Sequence, residues 1–408
     1  MKDILILLTN YFPYYKGEEY LESELPILAS KYEKIFILSC MIDDNEIQTR
    51  SVPSNVIVIP SGINHKPLGR IKMVLKSLLI KGIEKTPLTF FQNMYSKYFE
   101  SRSKIIANQL KERLSKFNVE QYPFITIYSY WTYITARVGI DLKEKYTKNN
   151  KKVNLISRAH RYDLYEEDTK LDFLPERNFI FSSLDFIYPV SNNGTEYLKK
   201  KYPLYSQKIE TRYLGTMDPK IKLDYGKHPF RVVSCSALRS VKRVELIVEA
   251  ISILQNEGLE IYWTHLGDGE KFSKINKIAE TALAPNTYHL PGFVKNDKVF
   301  EFYKNDKASI FVNVSESEGL PVSIMEAISM GLPIIATDVG GTSEIVSEKN
   351  GFLLESNTNA RILAEAIKKI YLMDDMSYKE LSINSRGFWE KNFNALNNYN
   401  EFADEISI

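Results

Sequence analysis

The stretch from Ser309 to Glu344, SIFVNVSESEGLPVSIMEAISMGLPIIATDVGGTSE, constrains the fold of this chain more than any other. Its first six residues are rich in β-branched and aromatic side chains, which is typical of a buried parallel strand. A polar turn containing Gly319 follows, and Pro321 has the fixed φ that suits the first position of a helix. Glycine and proline then end the helix, and Ile334–Thr337 predicts another strand. The stretch therefore predicts a strand–loop–helix–strand unit of an α/β protein.

Two carboxylates lie eight positions apart in this unit. Glu318 is in the loop, and Glu326 is on the helix, about 7.5 Å along the axis from Pro321. This separation is too large for a paired acid and nucleophile, which in retaining glycosidases are about 5 Å apart. The two carboxylates suit instead the two ends of an elongated ligand, since a carboxylate accepts hydrogen bonds from a vicinal diol. The helix N-terminus between them favours a diphosphate, so the pattern indicates a nucleotide-sugar site.

The motif E-G-L-P-V-S-I-M-E, followed by A-T-D-V-G-G-T-S-E, resembles the E-x7-E signature of the retaining glycosyltransferases of family 4. The resemblance implies the GT-B fold, an α/β architecture of two Rossmann-like domains that face each other across a cleft. It also implies that Glu318 binds sugar hydroxyls and that Glu326 binds the ribose diol. Gly319, Leu320 and Pro321 would line the donor site beside them. The alternative is an ordinary buried βαβ unit with two solvated glutamates.

A chain of 408 residues predicts two domains rather than one core. We place the first domain at residues 1–222 and the second at 223–389, joined by a polar, proline-containing linker over Met217–Pro229. Alternating strands and helices in the first half predict a doubly wound parallel sheet, which YLGT at Tyr213–Thr216 would close as a short strand. The resemblance implies that the tail, about 390–408, crosses back to the first domain.

Cysteine content and hydropathy indicate a cytoplasmic protein. Cys40 and Cys235 each lie in an apolar, strand-like context, which suits reduced thiols and supports neither a disulfide framework nor a zinc site. The first residues predict a β-strand and not a signal peptide, and no run of 18 uncharged apolar residues occurs. Tyrosine is abundant, at 26 residues, and the sequence alone assigns it no role.

Two loops of the first domain carry candidate site residues. Gly17 follows the first strand, where ligands bind in open α/β sheets, and the resembling family has a glycine-rich loop here that faces the acceptor and the donor phosphates. A plain surface turn is the alternative. His160 follows a later strand in R-A-H-R-Y-D-L, with Arg158, Arg161 and Asp163 nearby. The resemblance implies that His160 contacts the donor sugar near the reaction centre, whereas a lone histidine is more often structural.

The second domain carries basic residues after its first strand, in A-L-R-S-V-K-R. The resemblance implies that Lys242 neutralises the donor phosphates. The family's arginine position is occupied by Ala237, so Arg239 is the replacement candidate and Arg243 a weaker one. A surface charge cluster is the alternative interpretation.

Further donor contacts are predicted at the ends of the next two strands. Gly267, in G-D-G, brings backbone towards a ligand crevice. HLPGFV, at residues 289–294, resembles the strand and turn of the family whose backbone contacts the nucleotide base. The resemblance therefore implies that Phe293 and Val294 bind the donor. Since no two aspartates are spaced D-x-D, and basic groups stabilise the diphosphate, we expect neither a metal nor another cofactor.

Charge is unevenly distributed along a chain whose net charge is only +2. Residues 66–116 carry 12 Lys or Arg against 3 Glu, a net +9. Apolar residues at helical spacing over Gly69–Lys85, flanked by lysines, predict a helix that rests on an anionic membrane surface or docks onto its own sheet. No nucleic-acid-reading motif accompanies the basic stretch, so nucleic acid is not expected as a partner.

These features predict a metal-independent, retaining transferase that moves sugar from a nucleoside-diphosphate sugar to a hydroxyl of a glycan or lipid-linked glycan. Surface polysaccharide or glycolipid synthesis is the expected setting, in the cytoplasm or peripherally on the inner face of the cytoplasmic membrane. A nucleotide-sugar epimerase of the same fold and a non-catalytic GT-B partner subunit are the alternatives.

Overall fold

The computed structural model describes residues 3–15, 17–63, 77, 82, 87–221 and 226–407. The helix predicted over Gly69–Lys85 lies, except for residues 77 and 82, outside the described residues. The chain forms two compact units, Met1–Leu214 with Leu396–Ile408 (unit 1) and Gly215–Ala395 (unit 2). No helix in the described parts of the chain is both long enough and apolar enough to cross a membrane.

Unit 1 is built on a six-stranded parallel sheet in the order β3-β2-β1-β4-β5-β6. Its strands are β1 (Ile4–Thr9), β2 (Lys34–Ser39), β3 (Val56–Pro60), β4 (Phe124–Ser129), β5 (Lys152–Ala159) and β6 (Phe186–Pro189). Its helices are α1 (Leu21–Lys31), α2 (Phe90–Leu114), α3 (Ile134–Lys148), α4 (Arg161–Leu164), α5 (Arg177–Ser183) and α6 (Asn192–Lys201). This arrangement agrees with the doubly wound sheet predicted from the alternation of strands and helices.

Every residue of β1 is buried, because helices cover both faces of the sheet. Ile4, Ile6 and Leu8 belong to one core cluster, and Leu5 and Leu7 belong to the cluster on the other face. Alternate side chains of a strand point to opposite faces, so one continuous apolar run supplies two cores.

Unit 2 repeats the same architecture with the strand order β12-β11-β10-β7-β8-β9. Its strands are β7 (Phe230–Cys235), β8 (Ile261–Leu266), β9 (Tyr288–Gly292), β10 (Ile310–Asn313), β11 (Ile334–Thr337) and β12 (Gly351–Leu354). Its helices are α7 (Val244–Asn256), α8 (Phe272–Ala282), α9 (Asn296–Asn305), α10 (Val322–Ser329), α11 (Ala360–Leu372) and α12 (Asp375–Asn392). The final helix, α13 (Ala395–Ile406), begins at the last residue of unit 2, and its remainder belongs to unit 1.

The strand predicted at Tyr213–Thr216 is wrong. Thr216 instead forms an isolated bridge with Asn394, and its hydroxyl accepts a hydrogen bond of 2.8 Å from Trp389 Nε1. These contacts attach the segment to the end of α12. The transition between the units therefore lies at residues 214 and 215, eight residues before the sequence-derived boundary at 222, and the chain returns to unit 1 at residue 396.

Candidate active site

Glu318 lies in the loop between β10 and α10, where three side chains hold its carboxylate. Lys242 Nζ is 2.6 Å from Glu318 Oε1, and Ser315 Oγ donates to the same oxygen at 2.6 Å. Asn313 Nδ2 donates to it at 3.3 Å. The Glu318 side chain is 11% exposed, so the carboxylate is fixed but still reaches the surface. The structure thus joins two of the predicted residues, Glu318 and Lys242, into an ion pair.

The N-terminus of α10 begins beside this ion pair. Pro321 is the N-cap residue, one position before the first helical residue rather than at it. No described side chain caps this end of the helix. The first N–H groups of a helix have no partner within it and carry a partial positive charge, so this end is suited to an anion.

The loop after β11 packs directly on the backbone of the Glu318 loop. Gly341 N–H donates to Gly319 O at 2.7 Å. Gly340 has a φ of +56°, and a Cβ at that position would lie 2.0 Å from Glu318 O. Only glycine therefore allows this approach, and the two glycines of G-G-T-S-E fix the position of Glu318 and Gly319.

The basic loop after β7 divides its cations between two roles. Arg243 donates from Nε to Val314 O at 2.7 Å and from Nη2 to Ser315 O at 3.4 Å, so it anchors the end of β10. Arg239 and Ala237 are both exposed. Lys242 carries the only cation of this loop that pairs with Glu318 among the described residues. Arg243 is consequently a structural residue in this arrangement.

Glu326 lies on α10 and is only partly exposed. Burial raises the pKa of its carboxyl from 4.5 to about 7. Burial, followed by the charge of Glu326, raises the pKa of the Cys235 thiol to about 12. Burial, followed by the charges of Cys235 and Glu326, raises the pKa of the Tyr303 hydroxyl. The sequence analysis missed both neighbours, because Cys235 ends β7 and Tyr303 lies on α9, far from Glu326 along the chain.

Gly267, Phe293 and Val294 follow β8 and β9. Gly267 has a φ of +146°, and a Cβ there would lie 1.9 Å from Ser236 O. Phe293 is 64% exposed, and Val294 is half-buried. All three therefore lie at the carboxyl edge of the unit 2 sheet, the edge at which ligands bind in open α/β sheets.

In unit 1, His160 follows β5 and lies against two aromatic rings. Its ring centroid is 4.6 Å from that of Tyr130 and 4.7 Å from that of Trp131. Burial, aided by the positive charge of Arg158, lowers the pKa of His160 to about 3. Nε2 is buried and has no hydrogen-bond partner among the described residues. His160 is therefore a neutral imidazole at physiological pH, and its Nε2 makes no hydrogen bond to any described residue.

The three charged neighbours of His160 in sequence have structural partners. Asp163 Oδ1 accepts a hydrogen bond of 2.7 Å from His160 N–H, and burial raises the pKa of Asp163 to about 7. Arg158 is fully buried and pairs with Glu24 at 3.3 Å, while Arg161 pairs with Asp168. These residues position the His160 loop and its backbone.

The loop containing Gly17 is organised by its neighbour, Glu18. The Glu18 carboxylate accepts from the backbone N–H groups of Asn10, Tyr11 and Phe12 and from Trp131 Nε1, at 2.8, 2.9, 2.7 and 2.6 Å. Gly17 itself has a φ of +103°. The sequence analysis missed Glu18, although a buried glutamate beside a positive-φ glycine requires such partners. Trp131 links this loop to His160.

The predicted residues thus form two groups. Glu318, Lys242 and the α10 N-terminus, with Glu326 further along α10, belong to unit 2. His160 and the Gly17 loop belong to unit 1, where Trp131 contacts both.

Residues 220–387 match the family model described as glycosyl transferases group 1. Over nearly the whole of unit 2 the chain is thus similar to group 1 glycosyl transferases, and the predicted resemblance is confirmed at that level. The chain is 27% identical over 224 residues to the UDP-N-acetylglucosamine–peptide N-acetylglucosaminyltransferase GtfA subunit of Streptococcus pneumoniae, covering 52% of this chain and 43% of that protein. It is 24% identical over 245 residues to the Escherichia coli protein named as the colanic acid biosynthesis glycosyltransferase WcaL. That alignment covers 58% of this chain and 59% of WcaL.

The alignments show that the chain spans about half the length of the curated relatives it matches. Among solved structures, HepE of Anabaena in complex with UDP and glucose covers 100% of both chains, with a TM-score of 0.66 and 14% identity. This likeness confirms the predicted GT-B fold. The relatives carry transferase names, which does not favour the epimerase alternative.

Proposed function

We infer, from a second unit that matches the group 1 glycosyl transferases, that this chain is a retaining glycosyltransferase whose donor is a nucleoside-diphosphate sugar. The single observation that carries the proposal is the Lys242–Glu318 pair, 2.6 Å long, beside the uncapped N-terminus of α10. A cation, a carboxylate and free helical N–H groups in one place suit a diphosphate with a sugar attached.

In this proposal, the donor diphosphate binds at the N-terminus of α10 and Lys242 stabilises it as it departs. Glu318 accepts hydrogen bonds from the sugar hydroxyls, and Glu326 accepts them from the ribose diol. Gly319, Leu320, Gly267, Phe293 and Val294 contribute the remaining donor contacts. UDP in the structure of HepE and the name of GtfA support a uridine nucleotide as the first donor to test.

We propose that His160 acts near the anomeric carbon. Its low pKa keeps the imidazole neutral, so that it orients a sugar hydroxyl without repelling the positive charge that develops in the transition state. The acceptor hydroxyl would attack on the face of the departing diphosphate, which gives retention of configuration. Arg239, exposed on the loop that bears Lys242, is the candidate for the missing family arginine.

We propose a glycan or lipid-linked glycan as the acceptor, in polysaccharide or glycolipid synthesis. Support comes from the name of WcaL, a colanic acid biosynthesis glycosyltransferase. A cytoplasmic position with peripheral attachment to the membrane fits a lipid-linked acceptor. We also propose that transfer requires no divalent metal, because Lys242 and α10 supply positive charge to the diphosphate.

The test combines donor screening with turnover. UDP-, GDP- and ADP-sugars should be ranked by the thermal shift that they give the protein, and release of nucleoside diphosphate should then be measured with and without EDTA. Lys242→Gln should lower kcat about 10- to 100-fold, since a hydrogen bond to a charged group contributes about 1.5–3 kcal/mol. EDTA should leave the rate unchanged.

Lys368→Gln is the matched control, because Lys368 also forms an ion pair in unit 2, with Glu257 at 2.7 Å. This variant should keep the wild-type rate. Stabilisation by no nucleotide sugar, or a Lys242→Gln variant as fast as the control, would contradict the proposal. Loss of activity in EDTA would contradict metal independence alone.

A further inference from the structure

Unit 1 contains a cavity of about 140 Å³ at the carboxyl edge of its sheet. Its walls come from the loops that follow β1, β2 and β4, from helix α2 and from the first residues of α3 and α4. A cavity needs only about 10–15 Å³ to hold one water molecule, so this one has room for a ligand of about one ring. Half of the ten lining residues in the described parts of the chain are tyrosines: Tyr11, Tyr95, Tyr98, Tyr133 and Tyr162.

The cavity is connected to His160 by aromatic contacts within unit 1. The ring of Tyr162, which lines the cavity, lies edge-on to Trp131 with centroids 5.9 Å apart. Trp131 in turn packs against His160 at 4.7 Å. Two aromatic side chains, Tyr162 and Trp131, therefore connect a ligand in the cavity to the proposed reaction centre at His160.

Among the described residues that line the cavity, Arg102 has the only charged side chain, and none has a carboxylate. Arg102 Nη2 lies 2.8 Å from Met41 Sδ, a thioether that is a weak acceptor. Asn10 also lines the cavity, while its Oδ1 is buried from solvent and has no hydrogen-bond partner among the described residues. The described lining thus offers one cation within largely aromatic walls.

We propose that this cavity binds the sugar ring of the acceptor next to the reacting hydroxyl, and that this ring carries an anionic substituent, a carboxylate or a phosphate. The inference rests on the proposed glycosyltransferase function. It adds the chemical class of the acceptor and assigns a role to part of the tyrosine content of the chain.

The ligand class follows from the chemistry of the lining. Tyrosine rings provide large, rigid surfaces for the apolar faces of a pyranose, and their hydroxyls provide hydrogen bonds. A guanidinium binds carboxylate and phosphate through two parallel N–H groups.

The experiment compares three small probes with the full chain by saturation-transfer NMR titration. The probes are methyl β-D-glucuronide, glucose 6-phosphate and the neutral methyl β-D-glucoside. At least one anionic probe should bind about 10-fold more tightly than the neutral glycoside, as expected for one charge-assisted contact. Whether the glucuronide or the phosphate is preferred identifies the source of the negative charge.

Variants of α2 test the assignment to Arg102. Arg102→Gln should reduce the preference for the anionic probe to about 1, whereas Arg102→Lys should keep part of it. Lys111→Gln is the matched control, because it removes one positive charge from the same helix about 13.5 Å away. The control should keep the wild-type preference.

Equal binding of anionic and neutral probes by the wild-type chain would overturn the inference without requiring any variant. A preference that persists in Arg102→Gln would also overturn it. Failure of the proposed function is distinguished by the donor screen, since a chain that binds nucleotide sugars but shows no anionic preference retains its function and loses only this acceptor assignment.

Discussion

At the scale of single residues, burial controls the protonation of Glu326, which we propose to bind the ribose of the donor. Burial raises the pKa of its carboxyl from 4.5 to about 7. Between these two values the folded protein holds a proton that the unfolded chain has released. The contribution of Glu326 to the unfolding free energy therefore falls as pH rises through this window and becomes constant above about pH 7.

Glu326→Gln removes this dependence. The variant should be more stable than the wild type at pH 8, by at most about 3.4 kcal/mol for a pKa raised from 4.5 to about 7, with little difference at pH 4.5. Urea unfolding of both proteins without ligand measures this difference. Glu365→Gln, at an exposed position on α11, controls for the loss of one carboxylate. If the unfolding free energies of the wild type and Glu326→Gln differed by the same amount at pH 4.5 and pH 8, the raised pKa of Glu326 would be contradicted.

The sequence predicted Glu318 and Lys242 separately but not their ion pair. They are 76 residues apart along the chain, so no local pattern links them. Spacing also left open which of Arg239 and Arg243 is the second phosphate-binding residue. The structure shows Arg243 bound to the carbonyls at the end of β10, which leaves Arg239 as the candidate.

At the scale of elements, two glycine loops hold the α10 N-terminus in place. Gly340 adopts a φ of +56° against the backbone of Glu318. The sequence predicts a tight loop here, because Gly340 and Gly341 follow a strand. It does not show that this loop contacts the backbone of Glu318. The loop after β11 and the loop after β10 meet only because their strands are neighbours in the sheet.

Gly340→Ala should weaken donor binding more than it weakens the fold, because its Cβ would lie 2.0 Å from Glu318 O and displace that loop. Gly258→Ala is the matched control, since Gly258 has a φ of +86° and its Cβ would meet nothing within 4 Å. Both changes should cost about 1–2 kcal/mol of stability from backbone strain. Only Gly340→Ala should raise the donor KM, and wild-type KM in that variant would contradict the role of this loop.

At the scale of the whole molecule, charge and exposed apolar side chains occur in the same part of the sequence. Residues 66–116 carry +9 in a chain of net charge +2. At the start of α2, Phe90, Phe91 and Met94 are 73%, 68% and 47% exposed. Exposed aromatic residues beside basic ones suit an anionic membrane surface, and peripheral membrane binding therefore remains our prediction.

Vesicle flotation tests this prediction. The chain should float with vesicles that contain anionic lipid at low salt, and less so at high salt or with neutral lipid. The double variant Phe90→Ser, Phe91→Ser should bind at least about 10-fold more weakly. Leu204→Ser, at a position that is 88% exposed elsewhere in unit 1, is the control. Absence of flotation at low salt would exclude a membrane partner.

The sequence by itself determined the strand–loop–helix–strand unit over Ser309–Glu344, because turn residues, helix-terminal residues and apolar periodicity act between neighbours along the chain. From that unit it also determined Glu318 and Glu326 as site candidates. Only the tertiary structure decided that Lys242 pairs with Glu318 and that five tyrosines line one cavity. It also decided that the Glu18 carboxylate accepts hydrogen bonds from the backbone N–H groups of the loop after β1. Within each unit these residues come from separate segments, and the order of strands in its parallel sheet brings them to the carboxyl edge of that sheet.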